Sequence, residues 1–332
     1  MPSASVIIPT YRRPADLIRC LEALVRQETA GFEVIVVDNA PDGDLPERLN
    51  AFRGGEVEIR YVPEPSIGMH NARHCGAKAA VSDLLLYVDD DAICASTWVQ
   101  AYASAFADHP EMDAAGGPIA PRWDTDPEPW LVRLAPQDGG FVPWSLLDRG
   151  DEFLLAPDGV FFGANMAIRR EALFAVGGFN PEGFGATWLG DGETGLLHKL
   201  RARQSLIGWV PEASVEHRIS EERMSVEFLR RRASNQGAAD AYTRYHPDIP
   251  SRARLLKHAL WHVWCAIRLS LHVRRASDPG PPSPDRARDV MAISSGLSYA
   301  RYTLRLTYSP RLRALVRRTD WIRPGHSAES IP

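Results

Sequence analysis

The sequence predicts an α/β fold with a mostly parallel sheet covered by helices. Three observations lead there. Strand-like and helix-like stretches alternate over the first hundred residues, two of those strands end in acidic residues, and the chain turns mostly helical after about residue 225. The elements follow in order. "SVIIPT" is a short apolar strand that Pro9 is expected to stop. "RPADLIRCLEALVRQ" places Leu17, Leu21, Leu24 and Val25 on one helical face. "FEVIVVDNA" is a buried-type strand ending in Asp38 and Asn39, and "VEIRYVPE" alternates like a half-buried one. "SIGMHNARHCGAKAAV" reads as a helix, "DLLLYVDDD" as a strand, and "STWVQAYASAFADHP" as a helix opening at a Ser/Thr cap.

From Gly117 to Pro157 the pattern breaks. "APRWDTDPEPWL" and "APQDGGFVPW" are rich in Pro, Asp, Trp and Gly and read as a long functional loop. Order returns with "GVFFGANMAIRREALFAVGGF" and with "GDGETGLLHKLRARQ", a helix. Further on, "RARLLKHALWHVWCAIRLSLHVRR" carries an apolar stripe, Leu256, Leu260, Val263, Ile267 and Leu271, with arginines at both ends. "SDPGPPSPD", residues 277–285, reads as a linker, and "GLSYARYTLRLTYSPRLRALVRR" as a second basic amphipathic segment. No internal repeat is evident.

Composition narrows the class. With 332 residues, 45% hydrophobic and 24% charged, the chain can build a sizeable globular core. No apolar run reaches the ~18 residues of a membrane span. The apolar patch near the start, Val6 to Ile8, is too short for a signal-peptide core, so the expectation is a cytoplasmic protein. Cys20, Cys75, Cys94 and Cys265 lack metal-ligand spacing and read as structural thiols. The net charge of −4 is unevenly spread. Residues 1–200 hold 15 Lys+Arg against 30 Asp+Glu; residues 201–332 hold 23 against 12. The acidic stretch argues against nucleic acid and suits a bound cation. The basic stretch suits an anionic partner, a phosphorylated substrate or a membrane surface, or is simply a solvated face.

The strand ending in Asp89, Asp90 and Asp91 stands where open α/β sheets bind ligands, at a carboxyl end. Side chains alternate there, so Asp89 and Asp91 converge while Asp90 points elsewhere. Two hard oxygen donors at that spacing suit Mg²⁺ or Mn²⁺ held with phosphates; a polar turn is the plain alternative. Gly190, Gly192 and Gly195 spell GxGxxG, but that segment follows no clear strand and carries two acids that would repel a pyrophosphate. The dinucleotide reading is rejected.

The series "SVIIPTYRRPADLIRCLEAL", "EVIVVDNAPDG", "NARHCGAKAAVSDLLLYVDDDA", "FFGANMAIRREALFAVGGF", "GDGETGLLHKL" and "PEASVEHRISEERMS" resembles the family 2 glycosyltransferases over residues 4–240. The resemblance implies a GT-A type nucleotide-sugar-binding fold and an inverting, metal-dependent transfer from a nucleotide-diphosphate-sugar. The acceptor is a carbohydrate, lipid-linked or small molecule. Residues 1–225 are the implied catalytic domain; within it, residues 1–116 bind the nucleotide and residues 117–225 supply the acceptor surface and the base. Residues 226–332 form a helical C-terminal region, for which a membrane surface or a second copy in a homodimer is a partner to consider.

The same resemblance assigns roles. Thr10 and Tyr11 contact base and ribose, Asp38 the nucleobase, and Arg73 the nucleotide; His74 departs from the family's usual residue. The triple Asp matches the DXD motif: Asp91 binds the metal, and Asp89 or Asp90 meets ribose or a metal-bound water. His217 matches a histidine near metal or diphosphate. Glu193 aligns with the catalytic base, Gly192 falls where the family usually has another acid, and Asp191 is the rival base. Asn165, Gly177, Gly178 and Phe179 match the region lining donor sugar and acceptor. Arg230, Arg231 and Arg232 resemble a phosphate-contacting patch, with a solvated helix face as the alternative. Trp123, Trp130, Trp144 and Trp188 stack on sugars or pack in the core. Two rivals remain: a sugar nucleotidyltransferase, for which "PTYRRP" lacks the glycine-rich loop, and a non-catalytic nucleotide- or carbohydrate-binding relative.

Overall fold

A computed structural model describes residues 2–134, 142–184, 187–188, 190–275 and 283–323. The first elements are β1 (Ser5–Thr10), α1 (Pro14–Leu24), β2 (Glu33–Asp38), α2 (Leu45–Arg48), β3 (Glu58–Pro63), α3 (Met69–Ala79) and β4 (Leu84–Val88). Next come β5 (Ala92–Cys94), α4 (Trp98–Asp108), β6 (Met112–Gly116), β7 (Ile119–Trp123), α5 (Pro129–Leu134) and β8 (Leu154–Ala156). Then follow β9 (Asn165–Arg169), α6 (Arg170–Ala175), β10 (Gly183–Phe184), β11 (Thr187–Trp188), α7 (Gly192–Ala202), β12 (Leu206–Trp209) and β13 (Val215–Ile219). Helices α8 (Val226–Tyr245), α9 (Arg252–Arg275), α10 (Pro284–Tyr308) and α11 (Pro310–Val316) complete the described chain.

Eight strands form the central sheet in the order β3-β2-β1-β4-β9-β6-β12-β8. The run β3-β2-β1-β4 is parallel, as is β6-β12, while β9 runs antiparallel to both its neighbours. β1, β2 and β4 are fully buried because helices cover both faces, which is why they read as unbroken apolar runs. Period-two alternation sends Val6, Ile8, Val34, Val36, Leu86 and Val88 into one core with Leu17, Leu21 and Trp98. Ile7, Ile35, Val37, Leu85 and Tyr87 enter the other with Ala72, Leu173 and Leu196. Gly76 lets α3 close on β1, since a Cβ there would lie 2.4 Å from Ile7 Cγ2. A second sheet, β5-β13-β7, lies beyond the end of β4.

Three local expectations change. Pro9 does not stop β1, which runs to Thr10 in register with β2. Thr10 uses its carbonyl toward Asn39 on the β2 side, so Pro9 faces the β4 side, where pairing has already ended at Ile7 and Tyr87. Its missing N–H breaks nothing. Val25 follows α1 and is 41% exposed; Cys20 takes its place on the buried face. The stretch 117–157 is no structureless loop, because β7, α5 and β8 lie within it.

Helix α9 packs on α10 along one side. Leu255, Ala259 and Ala266 face inward, and His262 stacks on Tyr299 of α10 at 4.0 Å. Leu260, Ile267 and Leu271 of the predicted stripe face outward. Among the described residues no helix is long and apolar enough to cross a membrane. Most of the linker at 277–285 lies outside the described residues, as does the side chain of Trp188.

Candidate active site

At the carboxyl end of β4 the three aspartates leave the sheet, and each finds a different solution to its charge. Asp90 is buried and accepts from Thr10 Oγ1 at 2.7 Å, a residue at the end of neighbouring β1. Asp91 is buried among cations. Arg13 Nη1 lies 3.1 Å and Arg223 Nη2 3.1 Å from its Oδ2, and His217 Nε2 lies 3.0 Å from its Oδ1. Asp89 keeps 22% of its side chain open and lies 3.5 Å from Arg73 Nη2.

These environments separate the titrations. Burial pushes Asp90 up to about 7, and the neighbouring Asp91 charge adds to it. Burial acts the same way on Asp91, but His217, Arg223 and Arg13 outweigh it and hold that carboxyl well below the usual range. Burial lowers His217, and its hydrogen bond and charge interaction with Asp91 more than reverse this.

His217 reaches the site because β13 pairs antiparallel with β5, setting His217 opposite Ala92, the residue after the triple Asp. Its Nδ1 faces the Trp144 carbonyl at 2.7 Å. A carbonyl only accepts, so Nδ1 carries a hydrogen and Nε2 is the atom turned to Asp91. The Trp144 indole N–H donates to the Arg223 carbonyl at 3.0 Å, so one tryptophan steadies two partners of Asp91. Ligand atoms of Asp89, Asp91 and His217 all lie within 4.8 Å of one another. Two carboxylates plus an imidazole oriented by a backbone carbonyl are a donor set that fits a divalent cation.

The opposite end of the site is built by α7. Glu193 stands in its first turn, and its Oε2 lies 3.4 Å from Arg73 Nη1. The same Nη1 lies 3.2 Å from Glu182 Oε1. Arg73 is thus a buried cation shared by Glu182, Glu193 and Asp89, with its guanidinium 5.2 Å from the Phe179 ring. Burial pushes Glu182 up to about 8, with the Glu193 charge adding. Burial also pushes Glu193 up, but the Arg73 charge, a backbone N–H and a hydrogen bond with Glu182 outweigh it, so the net shift is down. Gly192, at φ +52°, permits this pairing: a Cβ there would lie 2.5 Å from Glu182 Oε1.

Asp191 is differently engaged. It is buried, accepting from Asn180 Nδ2 at 2.9 Å and from Thr243 Oγ1 at 2.6 Å. Each oxygen has a neutral donor, and Thr243 belongs to α8, so Asp191 ties α7 to α8.

One cavity of about 710 Å³ joins the two ends. Arg73, Asp89, Asp90, Asp91, Asp191, Glu193 and His217 all line it. Thr10 lies behind Asp90. Tyr11 and Asp38 are not in that lining. Tyr11 is 44% exposed, and Asp38 accepts from Tyr61 Oη at 3.1 Å and from the Ala40 N–H at 2.9 Å. Asn165 is fully buried behind the site, and His74 accepts the Phe179 N–H at 2.8 Å through Nε2. Trp130 and Trp144 are buried, and Trp123 meets Trp144 edge-on at 5.1 Å. Arg230 turns to Glu227 at 2.6 Å, while Arg231 and Arg232 line the cavity from α8.

Sequence reasoning missed Arg13, Arg223 and Glu182; Trp144, named for sugar stacking or core packing, is in the core. Arg13 and Arg223 lie inside quoted motifs, "PTYRR" and "EHRISEERMS", so proximity to a motif was the available signal. Glu182 stands in an irregular stretch and carried none.

With this geometry in place, likeness to known proteins can be read. The model of Glycosyl transferase family 2 matches residues 5–176, more than half of the chain. Over 288 residues the chain is 28% identical to a validoxylamine A glucosyltransferase of Streptomyces hygroscopicus subsp. jinggangensis, covering 79% of this chain and 64% of that one. The match therefore spans under two thirds of that relative's length. The succinoglycan biosynthesis protein ExoM of Rhizobium meliloti is 26% identical over 237 residues, covering 69% of this chain and 71% of its own. Among solved structures, the mannosyltransferase PcManGT of Pyrobaculum calidifontis, in complex with GDP-Man and Mn²⁺, aligns with a TM-score of 0.50. It covers 95% of this chain and 78% of that one at 18% identity, a likeness of fold. Fold, motif series and family match agree: this chain belongs to glycosyl transferase family 2.

Proposed function

We propose that this chain is a metal-dependent, inverting glycosyltransferase that moves a sugar from a nucleotide-diphosphate-sugar to an acceptor hydroxyl. The observation that carries the reading is the pairing, in one cavity, of the Asp89, Asp91 and His217 donor set with a separate Glu193 carboxylate. A divalent cation, Mn²⁺ or Mg²⁺, would be held by Asp91, Asp89 and His217 and would offset charge building on the departing diphosphate. Arg13 and Arg223 hold Asp91 in place, while Thr10 donates to Asp90, whose carboxyl burial raises to about 7. Inversion requires one base, facing the anomeric carbon from the side away from the diphosphate. Glu193 takes the acceptor proton in this reading, because Arg73 keeps it ionised and its carboxyl opens to the cavity. Asp191 is the weaker candidate, since Asn180 and Thr243 occupy both its oxygens.

Residues 1–116 carry the donor and residues 117–225 the base and acceptor surface. From the C-terminal region, α8 adds Arg231, Arg232, Asn235 and Gln236 to the cavity wall. The hydroxyl acceptor is a carbohydrate, a lipid-linked sugar or a small molecule, in polysaccharide, glycolipid or glycosylated natural-product synthesis. The validoxylamine and succinoglycan relatives support that range.

Thermal unfolding with UDP-, GDP- and dTDP-sugars, each with and without Mn²⁺, tests the donor and the metal together, since a ligand raises the midpoint by mass action. A Mn²⁺-dependent rise with one nucleotide, followed by release of the nucleoside diphosphate, is the expected outcome. Release of pyrophosphate would instead identify a nucleotidyltransferase. Binding without turnover over a broad acceptor panel would identify a non-catalytic relative.

A further inference from the structure

Helix α9 turns its large apolar side chains away from the protein. Leu260 is 68% exposed, Trp261 59%, Trp264 46%, Ile267 52% and Leu271 48%. Positions 260, 264, 267 and 271 follow the spacing of a single helical face, with Trp261 beside it. The Trp261 and Trp264 rings lie 5.0 Å apart, and the Arg268 guanidinium sits 4.8 Å over Trp264. The helix cannot hide this face by rotating, because Leu255, Ala259, Ala266 and the His262–Tyr299 stack fix its other side.

We propose that this face of α9 docks the protein on an anionic membrane surface, lying along it rather than crossing it. Charge selects the occupant. Residues 252–275 contain five arginines, one lysine and no acid. A second copy pairing two-fold along α9, antiparallel or parallel, would bring together two helices whose only charged side chains are cations. No carboxylate on the helix relieves either arrangement. Anionic headgroups supply the missing negative charge. The tryptophans suit the boundary between headgroup and acyl chain, and the arginine stems extend apolar cover while their heads stay in the polar layer. The helix is 24 residues long, roughly 36 Å, but not apolar enough to cross a membrane, so it lies on a surface. This inference is independent of the transferase chemistry.

The test is flotation of the full chain with vesicles of phosphatidylcholine alone and of phosphatidylcholine mixed with phosphatidylglycerol. The chain should rise with the mixed vesicles only. Adding sodium chloride should weaken that association, because screening shortens the reach of the basic residues. The double variant Trp261→Gln/Trp264→Gln should lower partitioning by about tenfold or more. Arg268→Glu should lower it without removing apolar area. All three side chains are exposed, so an unchanged unfolding midpoint verifies that the variants fold. Absence of flotation with the mixed vesicles, or equal flotation of the double variant, would overturn the proposal. So would a wild-type dimer in light scattering that the double variant reduces to a monomer.

Discussion

The two ends of the cavity handle negative charge in opposite ways. At the aspartate end, Asp91 is balanced by Arg13, which is 49% exposed, by Arg223 at 21%, and by a histidine that can give up its proton. At the glutamate end, Glu182, Glu193 and Asp89 share Arg73, which is 3% exposed and wedged so tightly that a Cβ on Gly163 would lie 2.1 Å from its Nη2. The first set of countercharges stands at an opening and can yield to an incoming ion. The second is built into the core. One end is arranged to receive a charge and the other to keep one.

The largest effect should come from Asp91→Asn, which removes the acid on which three cations converge. Turnover should fall by about a thousandfold or more, beyond the 10- to 100-fold typical of outer-sphere partners, and the Mn²⁺-dependent rise in unfolding midpoint should vanish. A variant that keeps both would break the contrast between the two ends. Glu193→Gln sharpens it from the other side. Donor binding should persist, while kcat drops by about a hundred- to a thousandfold. Normal turnover in this variant would move the base to Asp191.

Arg73→Leu tests whether the second end holds a permanent charge. Leaving Glu193 and Asp89 without their buried cation should cost about 3 kcal/mol of stability in urea unfolding. An unchanged midpoint would mean that Arg232 or solvent carries the load. The effect of Glu182→Gln appears as a slope. The Glu182 carboxyl is raised from 4.5 to about 8 in the folded chain, so its contribution is complete at low pH and is lost as pH rises through about 8. Gln does not titrate. The wild type should therefore lose stability relative to the variant between about pH 4.5 and 8, read as diverging urea midpoints. Parallel curves would mean that Glu182 does not carry the raised titration.

Much of this contrast was legible in the sequence, but only one end of it. Three acids after an apolar strand, with Asp38 ending another, are a local signal that survives folding. The β-α alternation placed them at the carboxyl end of a strand for a reason of connectivity alone. Arg73 was visible as a motif residue, yet its three carboxylate partners come from positions 89, 182 and 193, which lie after β4, before β10 and in the first turn of α7 and meet only in the folded chain. Trp144 acts through its carbonyl and its indole N–H, and side-chain identity predicts neither partner. The stripe on α9 had the right period, with no facing attached to it. Periodicity reports that a face exists, and the small side chains at 259 and 266 decided which face met α10.

Asn165 shows what a fully spent side chain implies for change. Its Oδ1 accepts from Trp98 Nε1 and Tyr102 Oη, both at 2.8 Å, and its Nδ2 donates to the carbonyls of Pro118 at 3.0 Å and Ala213 at 2.7 Å. An amide both donates twice and accepts twice. Asp has the length but loses both donors, Gln keeps the chemistry but overshoots by a methylene, and Ser falls short of all four partners. Position 165 therefore has one workable spelling. Any effort to reshape the donor pocket in the laboratory must vary the residues in front of it and leave this letter alone.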